Sequence, residues 1–420
     1  MQPTTLDCDV LVAGGGTAGV VAAIQASRAG SRTILLEMTG QLGGTTTTGG
    51  VSAPAHFWTR HRQVISGIGW ELVSKTLALD GSSPPDFLNP PPHRPQWQVR
   101  INPFIHVLVC EDEALRAGVD LHYHVVAAAI GREADTWVVD SVGKNWRSRI
   151  RAKEVIDCTG DADLVGMLGL PRERGDVRQP GTLTFRLGGY DAASLDAQLV
   201  QARYQQAMAC GELKPGDFHE PAGDFNKFLR LRGGNQLHVF DADSTSARTQ
   251  TRANIDGRAG LLRVLRFIKT LPGCEGVKVE SMCGATAVRE TCRIVGRTTV
   301  TEADYMSGRR FDDAVCYSFY FIDLHTEQGG ERVFLADGIE PTIPLGALAP
   351  QGAAHLLVAG RTLSSDRRAN SALRVQASCM AMGQAAGAAA ALGVRLGVPS
   401  CDVPLDLLRD LLREHGAIVP

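Results

Sequence analysis

Short apolar runs, each followed by glycine, recur along the chain. Residues 8–12, CDVLV, form the first, and the turn AGGGTAG comes directly after it. The following stretch, VVAAIQASRAG, is built from small and apolar residues and stops at Gly30, which predicts a buried helix. TILLE then predicts a second buried strand, so the segment forms a strand, turn, helix, strand unit. Further on, NPFIHVLVCEDEALRAG predicts an amphipathic helix and VDLHYHVVAAAIG the strand after it. WVVDSVGKNWRSRIRAKEVIDCTGD alternates like a hairpin and ends on the apolar strand EVIDCTG. Near residue 360, HLLVAG is another buried-strand pattern, and ALRVQASCMAMGQAAGAAAALG predicts one long helix. Its Ala and Gly content suits either close packing on a sheet or cofactor, or an ordinary core helix. Residues 81–97, GSSPPDFLNPPPHRPQW, are too proline-dense for a helix or central strand and predict an extended surface excursion. From about 171 to 345 helices and strands mix with no second glycine fingerprint, and no solenoid repeat is present.

Composition narrows the partner. The chain has 420 residues, 44% of them hydrophobic and 21% charged, with 43 basic against 45 acidic side chains. No long Lys/Arg run offers a surface to nucleic acid or an anionic membrane, so a small-molecule partner is expected. Ten scattered cysteines show neither a CxxC pair nor a zinc spacing, which predicts no metal site and a reducing compartment. With no basic-then-apolar leader and no apolar run of about 18 residues, the expectation is a cytoplasmic protein without an integral membrane segment. GxSxG is also absent, which removes the commonest hydrolase signature.

The glycine turn carries the chemistry. Gly14, Gly16 and Gly19 spell GxGxxG: the first for a tight turn, the second for the approach of a pyrophosphate, the third for close helix packing. A helix N-terminus then offers N–H donors to phosphate. Glu37 closes the second strand 18 residues past Gly19, where a carboxylate can accept from ribose hydroxyls and would oppose a 2′-phosphate. In that order these features predict a bound dinucleotide. The strand-like segments ending at Gly160 and Gly360 lie far apart, and both look like returns to the nucleotide sheet.

With VLVAGGGTAGVVAAIQASRAG, LGGTTTTGG, EVIDCTGDADLVGMLG, GATAVRETCRIVGRTTVTEADYMSGRRFDDAV, FIDLH and LLVAGRTLSSDRRANSALRVQASCMAMGQAAGAAAAL, the chain resembles the FAD-dependent oxidoreductase family of the glutathione-reductase-like flavoproteins, distant kin of fumarate reductases and thiazole-biosynthesis proteins. The resemblance covers nearly the whole chain. It departs at Cys292, where the family commonly has a basic residue, and in the proline-dense excursion. It implies an α/β fold: a Rossmann-like FAD-binding domain, parallel sheet with helices, at 1–170 plus 345–420, interrupted by a mixed α+β substrate domain at 171–344. FAD is the implied cofactor. GQLGGTTTTGG would then cross it from ribose to isoalloxazine, with Gly43, Gly44 and Thr45 along the path; taken alone, the same run reads equally as a solvent loop. The resemblance also places Thr17, Ala18, Met38, Val126, Thr159, Gly160, Asp161, Gly360 and Arg361 beside the cofactor, although Asp161 also suits a helix cap. Ser371, Leu373, Arg374 and Val375 fall at the start of the long helix, whose N-terminus would face the flavin N1–C2=O edge. Arg374 could add positive charge there or simply join a salt bridge.

For the substrate, Arg289 can grip a carboxylate or a developing oxyanion and His325 can move a proton near neutral pH. Glu290 and Arg293 either meet substrate or form a structural ion pair, and His56 is a further pocket candidate. The leading expectation is hydride removal from a small polar metabolite to flavin N5, by a dehydrogenase or oxidase. Reduction of an activated C=C bond and a non-catalytic, flavin-stabilised interaction protein are the alternatives. Electrons would pass on to oxygen, a quinone, another protein or a second substrate.

Overall fold

The computed structural model describes residues 3–89, 98–327 and 329–420. Its organising element is a seven-stranded mixed sheet. β1 (Thr4–Ala13) runs parallel to β2 (Thr33–Glu37) on one side and to β6 (Trp146–Asp157) on the other, and β3 (Asp120–Tyr123) extends the parallel set beyond β2. β4 (Val125–Glu133), β5 (Thr136–Gly143) and the first part of β6 form an antiparallel meander. The end of β6 takes a different neighbour: β7 (Leu356–Val358) pairs with Val155–Asp157 in parallel. EVIDCTG and HLLVAG, far apart in the chain, are therefore adjacent in one sheet. Residues 8–13 of β1 and all of β2 are buried, as expected of strands covered on both faces.

One face is covered by α1 (Thr17–Arg28), and the helix Gln376–Leu396 lies against α1, β1 and β6. Glycines set this spacing. A Cβ at Gly383 would overlap the Ala18 carbonyl oxygen, and one at Gly387 the Ala22 carbonyl oxygen. Among the described residues this is the one helix long and apolar enough to cross a membrane, and it is buried in the fold. Within 171–344, strand Gly181–Gly188 lies between Gly233–Val239 and Lys278–Met282 in a three-stranded antiparallel sheet. Helices Ala197–Ala209, Phe225–Arg230 and Ala247–Ile268 pack on it around a second hydrophobic cluster. Tyr305, Val315, Ile322 and Leu324, from the same stretch, instead join the cluster around α1.

Two predicted elements differ from the structure. VDLHYHVVAAAIG is not one strand: His124 adopts a left-handed conformation, φ 57°, and separates β3 from β4. The C-terminal helix is also divided. A short helix, Arg367–Leu373, ends before Arg374, and Val375 is extended as the cap of Gln376–Leu396. Tertiary ties hold this break: Asn370 donates to the Arg361 carbonyl, and the Ser371 hydroxyl accepts from the Asp323 amide. Of the proline-dense stretch, 81–89 is described and contains no helix or strand, whereas 90–97 lies outside the described residues.

Candidate functional site

The parallel strands β1, β2, β6 and β7 end at Ala13, Glu37, Asp157 and Val358, and this carboxyl edge is where open α/β sheets hold ligands. Gly14 makes the first turn with φ +99°, a conformation that favours glycine. Gly19 is required by contact, since a Cβ would overlap the Gly14 carbonyl oxygen. Gly16 differs from both: the nearest atom to its would-be Cβ is the Gly44 Cα at 3.9 Å, so the space beside it is open. Gly16 also caps α1, and no side chain accepts from the first-turn amides, those of Thr17 and Ala18 included. The turn thus offers an anion both room and donors.

The loop from Gly40 to Gly50 lies directly on this turn. The Gly43 amide donates to the Gly15 carbonyl at 2.9 Å, the Thr17 hydroxyl donates to the Gly43 carbonyl at 3.1 Å, and Thr17 and Thr46 hydroxyls meet at 3.2 Å. Gly43, at φ +99°, leads into the single turn Gly44–Thr46, which contains Thr45. At its far end the Gly49 carbonyl accepts from the Thr184 hydroxyl, so the run bridges the nucleotide sheet and the antiparallel sheet. This is not a free solvent loop.

Glu37 is buried and accepts from the Gly15 amide at 2.8 Å and the Thr39 amide at 2.7 Å, which fixes its carboxylate at the turn. Met38 next to it is 67% exposed and Val126 on β4 is 41% exposed, so both present apolar surface without protein cover. Thr159 and Gly160 follow β6. Asp157, rather than Asp161, supports that turn, accepting from the Thr159 hydroxyl and the Leu164 amide. Asp161 instead accepts from Thr291 at 2.6 Å, Ser244 at 2.8 Å and Arg361 at 2.9 Å. Arg361 also donates to the Val288 carbonyl, so Asp161 and Arg361 tie the strand ends to the central segment. Gly360 has φ +106°, and a Cβ there would lie 3.6 Å from the Ala18 methyl. Ser371 and Leu373 lie in the short helix, fully buried, and Val375 starts the long one with no capping side chain. Room at Gly16, two uncapped helix starts and a carboxylate fixed at the strand edge fit FAD.

A second group of polar residues gathers where the antiparallel sheet meets this edge. On strand Ile322–Thr326, alternation puts Asp323 and His325 on one face, and His325 Nε2 lies 3.1 Å from Asp323 Oδ2. Burial pushes the imidazole below its ordinary range; Asp323 pulls it upward and Arg289 lowers it further. The ring is thus neutral near pH 7. With Nε2–H donating to Asp323, Nδ1 holds the lone pair. His238 packs edge-on to His325, ring centres 5.0 Å apart, and His219 lies 5.6 Å beyond it. Among the described residues no group of three or more His, Cys, Asp or Glu could hold a metal ion.

Arg289 donates to the Pro180 carbonyl and to Thr182 Oγ1 at 3.3 Å, and Arg374 donates to Gln179 Oε1 at 3.0 Å. Desolvation, then the repulsion of Arg374, pushes Arg289 down to about 9, and desolvation lowers Arg374 too. Both residues nevertheless retain partial exposure. Gln179 Nε2, His238 Nε2, Arg374 Nε and Asp323 Oδ1 are buried without a hydrogen-bond partner. Glu290 and Arg293 are committed elsewhere: Glu290 pairs with Arg293 at 3.4 Å and Arg367 at 3.1 Å, and Arg293 also donates to the Ser365 carbonyl. His56 is buried with its ring 4.9 Å from that of Tyr320, and desolvation lowers its pKa to about 3.

Sequence reasoning singled out Arg289 and His325 but overlooked Asp323, Gln179 and His219. Asp323 carried a signal, since two positions before a candidate base on a strand is the same face. Gln179 and His219 sit in segments with no motif.

The sequence profile of the family described as FAD dependent oxidoreductase matches residues 9–412. Solved structures that resemble the chain include a geranylgeranyl bacteriochlorophyll reductase-like protein of Thermoplasma acidophilum, 12% identical, covering 98% of this chain and 83% of that one at a TM-score of 0.46. An anhydrotetracycline hydroxylase from Streptomyces rimosus is 13% identical, with 98% and 66% covered and a TM-score of 0.46. A p-nitrophenol 4-monooxygenase from Pseudomonas putida is 12% identical, with 98% and 85% covered and a TM-score of 0.40. Among curated proteins none matches.

Proposed function

The chain belongs to the FAD-dependent oxidoreductase family and is an enzyme that takes FAD as its cofactor, and on that premise we propose that it removes a hydride from a small polar metabolite. When bound, FAD supplies the hydride acceptor, N5 of its ring. In this reading the glycine turn at Gly14–Gly19, the Gly43–Thr45 run, Glu37 and the start of the long helix hold the cofactor. His325 takes the proton from the carbon's hydroxyl or amino substituent on Nδ1, while Asp323 holds the ring and stabilises the imidazolium that forms. Arg289 orients a polar group of the substrate, and Arg374 adds positive charge beside the helix start.

The observation that carries this reading is the Asp323–His325 pair set near two arginines and among unpartnered buried polar atoms. A neutral imidazole with one nitrogen anchored and the other free is a general base. Ten free thiols support a reducing, cytoplasmic setting.

The test is anaerobic mixing of the oxidised holoenzyme with a metabolite panel, read by loss of flavin absorbance. His325→Asn should keep the flavin spectrum and slow bleaching by about 10²–10⁴-fold. Wild-type rates in that variant would remove His325 from the reaction. Turnover only from prereduced enzyme would favour reduction of an activated C=C bond instead.

A further inference from the structure

Arg289 and Arg374 differ from the other enclosed arginines of this edge. Arg293 and Arg367 share Glu290, and Arg361 meets Asp161. Among the described residues, Arg289 and Arg374 have only neutral acceptors: the Pro180 carbonyl, Thr182 Oγ1, Gln179 Oε1 and the Asp323 carbonyl. The one carboxylate that attracts both, Asp323, is already engaged by His325 at 3.1 Å and faces Arg332 at 3.6 Å. Two like charges are thus held near one another, bonded to the adjacent residues Pro180 and Gln179, with a surplus of donors. Gln179 is fully buried, and its amide nitrogen, like Arg374 Nε, has no acceptor.

We propose that Arg289, Arg374 and the Gln179 amide form a seat for a carboxylate of the substrate. An enclosed cation without a counter-charge is costly, and a carboxylate supplies the counter-charge and accepts from the unused N–H groups in fork geometry. The charge count favours a single carboxylate over a phosphate dianion. One negative charge leaves one guanidinium to answer the charge that develops on the flavin edge, whereas a dianion would neutralise both. Gln179 Oε1 also accepts from the His325 amide at 3.3 Å, so the seat adjoins the base. Identifying its occupant as the substrate rests on the proposed hydride transfer; the anion seat itself does not.

The test is calorimetric titration of the oxidised holoenzyme with acetate, with neutral acetamide and with sulfate. Acetate is expected to bind saturably and acetamide to give no binding at the same concentrations. Arg289→Gln should weaken acetate by about 10- to 100-fold with flavin absorbance unchanged. Absent acetate binding, equal binding of acetamide, or unaltered affinity in a folded Arg289→Gln would overturn the proposal. Sulfate displacing acetate at lower concentration would overturn the carboxylate assignment. Should the variant not fold, the wild-type contrast of acetate with acetamide decides. Failure of the hydride reading shows separately, as absent bleaching while acetate still binds.

Discussion

Gly16 and Gly19 lie three positions apart and exclude side chains for opposite reasons. A Cβ at Gly19 would strike the Gly14 carbonyl oxygen, whereas at Gly16 it would meet no protein atom nearer than 3.9 Å, on a backbone with φ −70° that any residue adopts. Gly16→Val is therefore expected to fold, with a circular dichroism spectrum like that of the parent, and to purify without flavin or binding of added FAD. Gly19→Val should not accumulate as folded protein. Full flavin content in Gly16→Val would show that the space beside it is not the cofactor's. The spacing of these glycines was legible because each answers to local geometry. Gln179 was not legible, because its amide matters only through Arg374 and His325, both distant in the chain. The base has a pH consequence. His325 must be neutral to accept a proton, and its pKa lies below the ordinary 6.5. The rate of flavin bleaching should thus be level near neutral pH and fall on acidification with a limb centred below the ordinary histidine value. A limb centred at or above 7 would assign the proton to another group.

Helix packing decides what the long C-terminal helix can tolerate. Its run of Ala and Gly left close packing and an ordinary core helix equally open in the sequence, and the contacts of Gly383 and Gly387 with the carbonyls of Ala18 and Ala22 select close packing. Gly383→Leu should therefore lower the urea midpoint through overpacking, by about 1–3 kcal/mol of stability, and lower FAD content by lifting α1 from the sheet. An unchanged midpoint would contradict the contact. Where this helix starts was beyond sequence reading. ALRVQAS holds no Gly or Pro, and the break at Arg374–Val375 is imposed by Asn370 and Ser371 bonding to other segments. The split of VDLHYHVVAAAIG at His124 was hidden similarly, since histidine gives no turn signal. Strand β2 was predicted with its bounds, and the buried parts of β1 and β7 were legible too, because burial on both faces leaves a continuous hydrophobic signature, whereas the largely exposed start of β1, Thr4 to Asp7, carries none.

Across the whole molecule, buried titratable groups set opposite slopes on the two sides of neutrality. Desolvation holds His56 down to about 3 and His106 and His219 to about 4, and lowers His238 as well. Unfolded, each titrates near 6.5, so their contribution is complete above pH 6.5 and is lost as pH falls towards 4. Glu154, pushed up to about 8, and Asp163, raised to about 7, have the opposite sign: their contribution is complete below their ordinary values of 4.5 and 3.8, declines as pH rises from there, and is gone once pH has passed 8 and 7. Below 6.5 the four histidines outweigh the two acids. The melting temperature of the holoenzyme is expected to peak near pH 6–7 and fall on both sides, and a monotonic profile from pH 5 to 8.5 would contradict these assignments.

The fork of β6 bears on biosynthesis. Its first half pairs with β5 as soon as that hairpin is made, but its cofactor-side half must wait for Leu356–Val358, and α1 for Gln376–Leu396. A nascent chain that has already exposed GxGxxG still lacks one wall of the nucleotide site and leaves the glycine-facing side of α1 uncovered, a surface suited to a chaperone. FAD binding is therefore expected only of a chain that extends through residue 396, and a chain ended before residue 350 should purify without flavin.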